Sequence, residues 1–202
     1  MKMMKLSMCL VAGLALFQTK AFAGNDANTK MTDEQMQQMM KTMQPNDAHK
    51  QLEPMVGSWR HTVTWKMNAD SKPEMMKGTN ENKMIMDGRY LQQVAKGEPQ
   101  KDHPAFEGMG VVGYDNIKGE YTSVWIDNMG TGMMTATASF DKKAKAFSEE
   151  GTFSCPMTGE KNRPYYAKWT IQNKDAYKYE MFTKDQSGKE FKSMEIAYKR
   201  MK

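Results

Sequence analysis

Between Gly57 and Met67 polar and apolar residues alternate without a break. Trp59, His61, Val63, Trp65 and Met67 fall on one side, and Arg60, Thr62, Thr64 and Lys66 on the other. A period of two marks a strand that buries one face and wets the other. Similar stretches predict further strands at roughly 76–86, 89–96, 105–114, 120–127, 133–140, 145–152, 164–172, 176–183 and 190–199. The breaks between them carry turn chemistry: Asp87-Gly88, Asp115-Asn116 with Gly119, Asp141-Lys142, Asn173-Lys174-Asp175 and Ser187-Gly188. No helical pattern interrupts the series, so its members pair as antiparallel hairpins. About ten twisted strands rarely stay open, and closure removes both unpaired edges. The expected fold is all-β: an antiparallel up-and-down barrel of about ten strands.

The period changes upstream of Gly57. Thr32 followed by Gln35 has the spacing of a capping box, in which side chains satisfy the free N–H groups of a helix start. Met36, Met39, Met40 and Met43 then recur at i, i+3, i+4 and i+7, one face of a helix that Pro45 ends. A second helical turn is expected from about Asp47 to Leu52, with Pro54 as its stop. This divides the chain into a Met-rich extension with a short helix at 24–45 and a barrel domain at 46–202, with no internal repeat or interdomain linker.

Residues 1–23 have a different character. Lys2 and Lys5 precede an apolar stretch from Leu6 to Phe17, and Ala21-Phe22-Ala23 has the small-x-small form of a signal-peptidase site. Cleavage is expected between Ala23 and Gly24, with export that is periplasmic in a two-membrane cell. Lys2, Lys5 and Lys20 leave with the segment and no acid does, so a formal charge of +5 falls to +2. So small a charge gives no reason to expect nucleic acid as a partner, and no membrane-spanning stretch is expected after cleavage. Cys155 is then the one cysteine left. It permits no internal disulfide, and is expected to be a small buried apolar residue rather than a reactive or bridging thiol.

Composition modifies this picture in one respect. Leu, Ile, Val and Phe make up only about 13% of the chain, in the range of disordered sequences. Against that stand 23 methionines, and the only leucines beyond residue 23 are Leu52 and Leu91. The expectation is a core partly built from Met.

Gly57-Ser58-Trp59, opening the first strand after a short helix, resembles the glycine-x-tryptophan signature of the calycin superfamily of lipocalins and fatty-acid-binding proteins. A longer pattern runs through Phe106-Glu107-Gly108-Met109-Gly110, Gly113-Tyr114-Asp115, and Tyr121 with Trp125-Ile126-Asp127-Asn128-Met129-Gly130-Thr131-Gly132. It closes with Asp185 to Gly188 and Lys189-Glu190-Phe191-Lys192-Ser193-Met194-Glu195. Over about 46–200 this resembles the bacterial family called domain of unknown function 1579. The resemblance implies a calycin-like barrel and no assigned activity. Haem-binding barrels of the nitrobindin type are similar in shape and hold iron through a histidine late in the chain. Here the histidines are His49, His61 and His103, so haem is not expected, nor is any other cofactor.

The candidate chemistry is a binding cavity. If Trp59 points inward, His61 and Trp65 do too, and neighbouring strands add Tyr90, Tyr114 and Trp125. Apolar walls with a few polar groups suit a small apolar or amphipathic molecule, with the segment ending in Leu52, Met55 and Val56 closing one end. The same aromatics would serve equally as a filled core. Two alternatives stand beside it. Met36, Met39, Met40 and Met43 present soft thioethers suited to Cu(I), or to a methionine-based redox role, although packing alone also produces such a stripe. An enzyme using His61 or an inward carboxylate from Glu107, Asp127, Glu180 or Glu195 is the other. No nucleophile motif, phosphate loop or paired zinc spacing is present in the sequence. Oligomeric state has no signature here.

Overall fold

The computed structural model describes residues 31–99, 104–156 and 158–202. The expected signal segment and its cleavage point lie outside them.

Ten strands form a closed antiparallel barrel: β1 (Gly57–Trp65), β2 (Glu74–Ile85), β3 (Tyr90–Gly97), β4 (Glu107–Asp115), β5 (Glu120–Asp127), β6 (Met134–Asp141), β7 (Ala146–Phe153), β8 (Arg163–Asn173), β9 (Ala176–Lys184) and β10 (Glu190–Arg200). Each strand pairs with its neighbours in sequence, and β10 returns to β1 from Trp59↔Arg200 to Trp65↔Met194. No sheet edge is left. β1 ends at Trp65, so Met67, expected as its last inward residue, lies exposed in the following turn.

The turns show why these breaks fall where they do. Asp115 Oδ1 accepts from the N–H groups of Ile117 at 2.8 Å and Lys118 at 3.1 Å, and Asp141 does the same for Lys143 and Ala144. Each aspartate thus replaces the partners its turn lacks. The turn after Asp115 is closed by Gly119 at φ 73°, a left-handed conformation that suits glycine.

Among the described residues three helices precede the barrel: α1 (Asp33–Thr42), α2 (Asp47–Lys50) and a single 3₁₀ turn, α3 (Glu53–Met55). The capping box on α1 forms as expected, with Thr32 Oγ1 accepting from Gln35 N–H and Gln35 Oε1 from Thr32 N–H. Pro54 does not end the second helix. It sits within the 3₁₀ turn, where its missing N–H costs nothing. No helix among the described residues is long and apolar enough to cross a membrane. The barrel's outer face carries Arg60, Lys77, Glu81, Lys83, Lys96, Glu150 and Lys168.

The core is mainly aromatic. Its fully buried side chains include Trp59, Tyr177, Leu52 and Leu91, with Tyr121, Phe147, Tyr165, Tyr179 and Tyr198 around them. Met55 and Met181 are the buried methionines of the cluster. Met84, Met134 and Met194 pack against it, so the core is partly built from Met as expected, while Met31, Met36, Met39, Met40, Met43, Met75, Met86, Met129 and Met133 are exposed.

Candidate functional site

One end of the barrel is closed by α3 and the residues just before it. Gly57 has φ 122°, and a Cβ there would lie 2.4 Å from Arg200 Nη1. That glycine therefore lets Arg200 lie across the strand start. The guanidinium sits 4.0 Å from the Trp59 ring centroid. It donates to the carbonyls of Val56 at 2.7 Å, Pro54 at 3.1 Å and Lys174 at 2.8 Å. Trp59 Nε1 donates to Met55 O at 2.9 Å, and the Tyr177 ring meets Trp59 edge-on at 4.7 Å. Every polar atom brought in here has a partner, as burial demands.

A polar ladder runs inward from this cap along β2. Asn82 Nδ2 donates to Met55 O at 2.9 Å and to Tyr177 Oη at 3.0 Å. Asn80 Nδ2 donates to Asn82 Oδ1 at 3.2 Å, which leaves Asn80 Oδ1 facing His61 Nδ1 at 2.8 Å. That arrangement assigns a proton to Nδ1. Burial holds the His61 pKa below its ordinary value, with the Asn80 hydrogen bond acting against it.

Across the interior, β7 supplies a group that the sequence reading missed. Glu149 lies buried, its Oε1 accepting from Tyr165 Oη at 2.7 Å and its Oε2 from Trp169 Nε1 at 2.8 Å. Burial pushes its carboxyl above the usual range, while those two hydrogen bonds pull the other way. The signal was available: Phe147, Glu149, Gly151 and Phe153 share one face of a period-two stretch, which places the acid inward. Of the four acids considered instead, Glu180 and Glu195 pair with Lys192 and Glu107 is exposed. Asp127 shares the inward register of Trp125 at the end of β5 and is half-buried, its Oδ2 accepting from Trp125 Nε1 at 2.9 Å.

A cavity of about 20 Å³ lies between Glu149, Gln93, Ser123, Tyr121, Trp169 and Leu52. It has room for about one water molecule. The cap half of the barrel is therefore filled. Trp59 serves there as core, and Tyr114 is half-buried between His49 and Tyr121.

The far end differs. Trp65, Met76, Trp125, Met134, Phe153 and Met194 lie on the inward register of their strands, yet all are half-buried rather than buried. Phe106 joins them from the segment before β4. Gly108 and Gly110 make the room, since a Cβ at either would lie within 3 Å of the Trp125 ring. Arg163 lies on the inward register at this end and donates to Thr183 Oγ1 at 3.3 Å and Cys155 Sγ at 3.5 Å. Cys155 is buried, as expected.

Of the six residues expected to line an interior site, the structure puts five on the inward face but divides them. Trp59 and Tyr114 belong to the filled half, His61 to the middle, and Trp65 and Trp125 to the far end. Tyr90 is a correction. It lies on the outer face, its ring over Gly113, where a Cβ would be 2.4 Å from Tyr90 Cδ1. A one-residue change of parity at the β2–β3 turn is enough to reverse a side chain. The described residues contain no cluster of three His, Cys, Asp or Glu side chains that would hold a metal ion.

Solved structures with this fold include the following two. The crystal structure of Rv2717c from M. tuberculosis superposes with a TM-score of 0.60 at 12% identity, covering 79% of this chain and 100% of that one. The S-type phycobiliprotein lyase CPES from Guillardia theta gives 0.53 at 11% identity, covering 81% and 97%. At such identities the likeness concerns the fold alone. No curated protein matches the chain. The family model described as "Protein of unknown function (DUF1579)" matches residues 44–200, which is the entire barrel together with α2 and α3, and the chain belongs to that family.

Proposed function

We propose that this protein is exported and binds a small apolar or amphipathic molecule through the end of the barrel opposite the helical cap. The observation that carries the reading is the contrast in exposure among inward-facing side chains. Trp59, Leu91 and Tyr177 are sealed, whereas Trp65, Trp125, Met134, Phe153 and Met194 face inward but remain open to solvent. Apolar groups kept wet inside a rigid wall gain free energy when a ligand displaces that water. Polar groups deeper in the barrel, Gln93, Glu149 and Tyr165, offer hydrogen bonds to fix the ligand's orientation. That CPES, of similar fold, is a phycobiliprotein lyase is consistent with a barrel of this shape handling a small organic molecule.

The test is a titration with anilinonaphthalene sulfonate, followed by probe emission and native mass spectrometry. Binding at one site per chain, weakened at least about tenfold by Trp65→Ala or Trp125→Ala, is the expected result. Unchanged binding in both variants, with the protein still folded, overturns the reading. Export is tested separately by the mass of the protein recovered from intact cells, which should correspond to a chain beginning at Gly24.

A further inference from the structure

The methionine face of α1 is not explained by packing. Met36, Met39, Met40 and Met43 are 44%, 40%, 52% and 59% exposed, and the helix has no buried residue. At about 100° per residue their side chains fall within an arc of about 100°, with neighbouring Cβ atoms roughly 5–6 Å apart. An amphipathic helix normally turns such a face to the core. Among the described residues its C-terminal end is the part tied to the barrel by hydrogen bonds: Asn116 Nδ2 donates to Thr42 O at 2.7 Å and Gln44 O at 2.8 Å.

A second strand of evidence comes from a distant part of the chain. Arg89 Nη2 donates to Met43 O at 3.1 Å and Arg89 Nη1 to Met86 O at 3.2 Å, so one guanidinium brings the two methionine backbones together. Met86 is 67% exposed and has φ 51°. The left-handed region disfavours a side chain with this much bulk and suits glycine or asparagine. Met86 is thus an exposed methionine whose backbone the Arg89 guanidinium links to the end of α1.

We propose that this corner, Met36, Met39, Met40 and Met43 with Met86, is a Cu(I)-binding site. Thioether sulfur is a soft, neutral donor that suits Cu(I) and offers little to hard cations. Methionine's unbranched side chain lets several sulfurs converge on one ion from a helix and an adjacent turn. The capping box and the Asn116 and Arg89 hydrogen bonds form the scaffold without any metal. His49 is not a donor through Nδ1, which accepts from Asn46 N–H at 3.0 Å.

The test is competition for Cu(I) between the purified full chain and bicinchoninate under anaerobic reducing conditions, with sulfur coordination read by X-ray absorption. One Cu(I) per chain is expected, in a thioether environment. The variant M36L/M39L/M40L/M43L keeps helix propensity and bulk while removing the sulfurs. It should lose uptake at unchanged circular dichroism. Met86→Leu should weaken binding by about tenfold, and Met133→Leu, outside this corner, should leave it unchanged. The inference is overturned if the wild-type chain yields all its Cu(I) to the competitor, if the fourfold variant retains the ion as well as wild type, or if Met133→Leu weakens binding as much as Met86→Leu.

Discussion

The two ends of the barrel are made from the same strands and the same residue types, yet they have opposite characters. At the cap end Trp59 is fully buried beneath Arg200, its N–H satisfied by Met55, and Tyr177 and Tyr198 stack at 4.1 Å beside it. At the far end Trp65 and Trp125 also face inward, but solvent reaches both. A tryptophan alternating along a strand thus becomes core or accessible wall according to what covers the strand end. Here three residues of 3₁₀ helix and one arginine make the difference.

The comparison can be broken most directly at the cap. Trp59→Ala should cost about 3–5 kcal/mol of unfolding free energy, read from urea denaturation, because it removes a fully buried ring and leaves a cavity. Trp125→Ala should cost far less, about 1 kcal/mol, since its site is already half open. Equal losses would mean that the two ends are equally packed, and the distinction would fall. A third variant is Glu149→Leu. It leaves the Tyr165 hydroxyl and Trp169 N–H without their acceptor, at about 1–3 kcal/mol for each group. Tyr90→Ala, on the outer wall, should leave binding of anilinonaphthalene sulfonate unchanged while Trp125→Ala weakens it.

The smallest effect is a pH dependence. Burial raises the Glu149 carboxyl above its ordinary value, so the folded chain keeps a proton that the unfolded chain gives up earlier. Its contribution is complete below the unfolded carboxyl's pKa and is lost as pH rises through the folded value. Wild type should therefore lose stability relative to Glu149→Gln as pH rises above the ordinary carboxyl range toward the raised folded value. His61, whose pKa shifts downward, is common to both proteins and cancels in the difference. A difference that stays flat, or that grows in favour of wild type, would show that the carboxyl is not held against desolvation.

Much of this was legible in the residues. Period-two alternation and Asp- or Gly-bearing turns located all ten strands to within a few residues, because a strand with one wet and one buried face writes its geometry into the chain. The capping box of α1 was equally local, needing only Thr32 and Gln35 three residues apart. The candidate site was legible in part. Parity assigned Trp59, His61, Trp65 and Trp125 to the interior, and the same rule would have found Glu149. It failed at Tyr90, since the turn after β2 reset the parity from which its strand is counted.

Local sequence determined, then, where strands and turns lie, how helix α1 begins, and which faces pair inward, because each depends on neighbours along the chain. Only the tertiary structure decided which inward aromatics are sealed, since that depends on Arg200 meeting Val56 and Pro54 across the whole length of the barrel domain. It also decided the fate of the methionines. Their spacing on α1 is a property of the helix, but whether that face is buried depends on what packs against it. Among the described residues none of the helix is buried, and Arg89 meets its end because the barrel brings the β2–β3 turn back to α1.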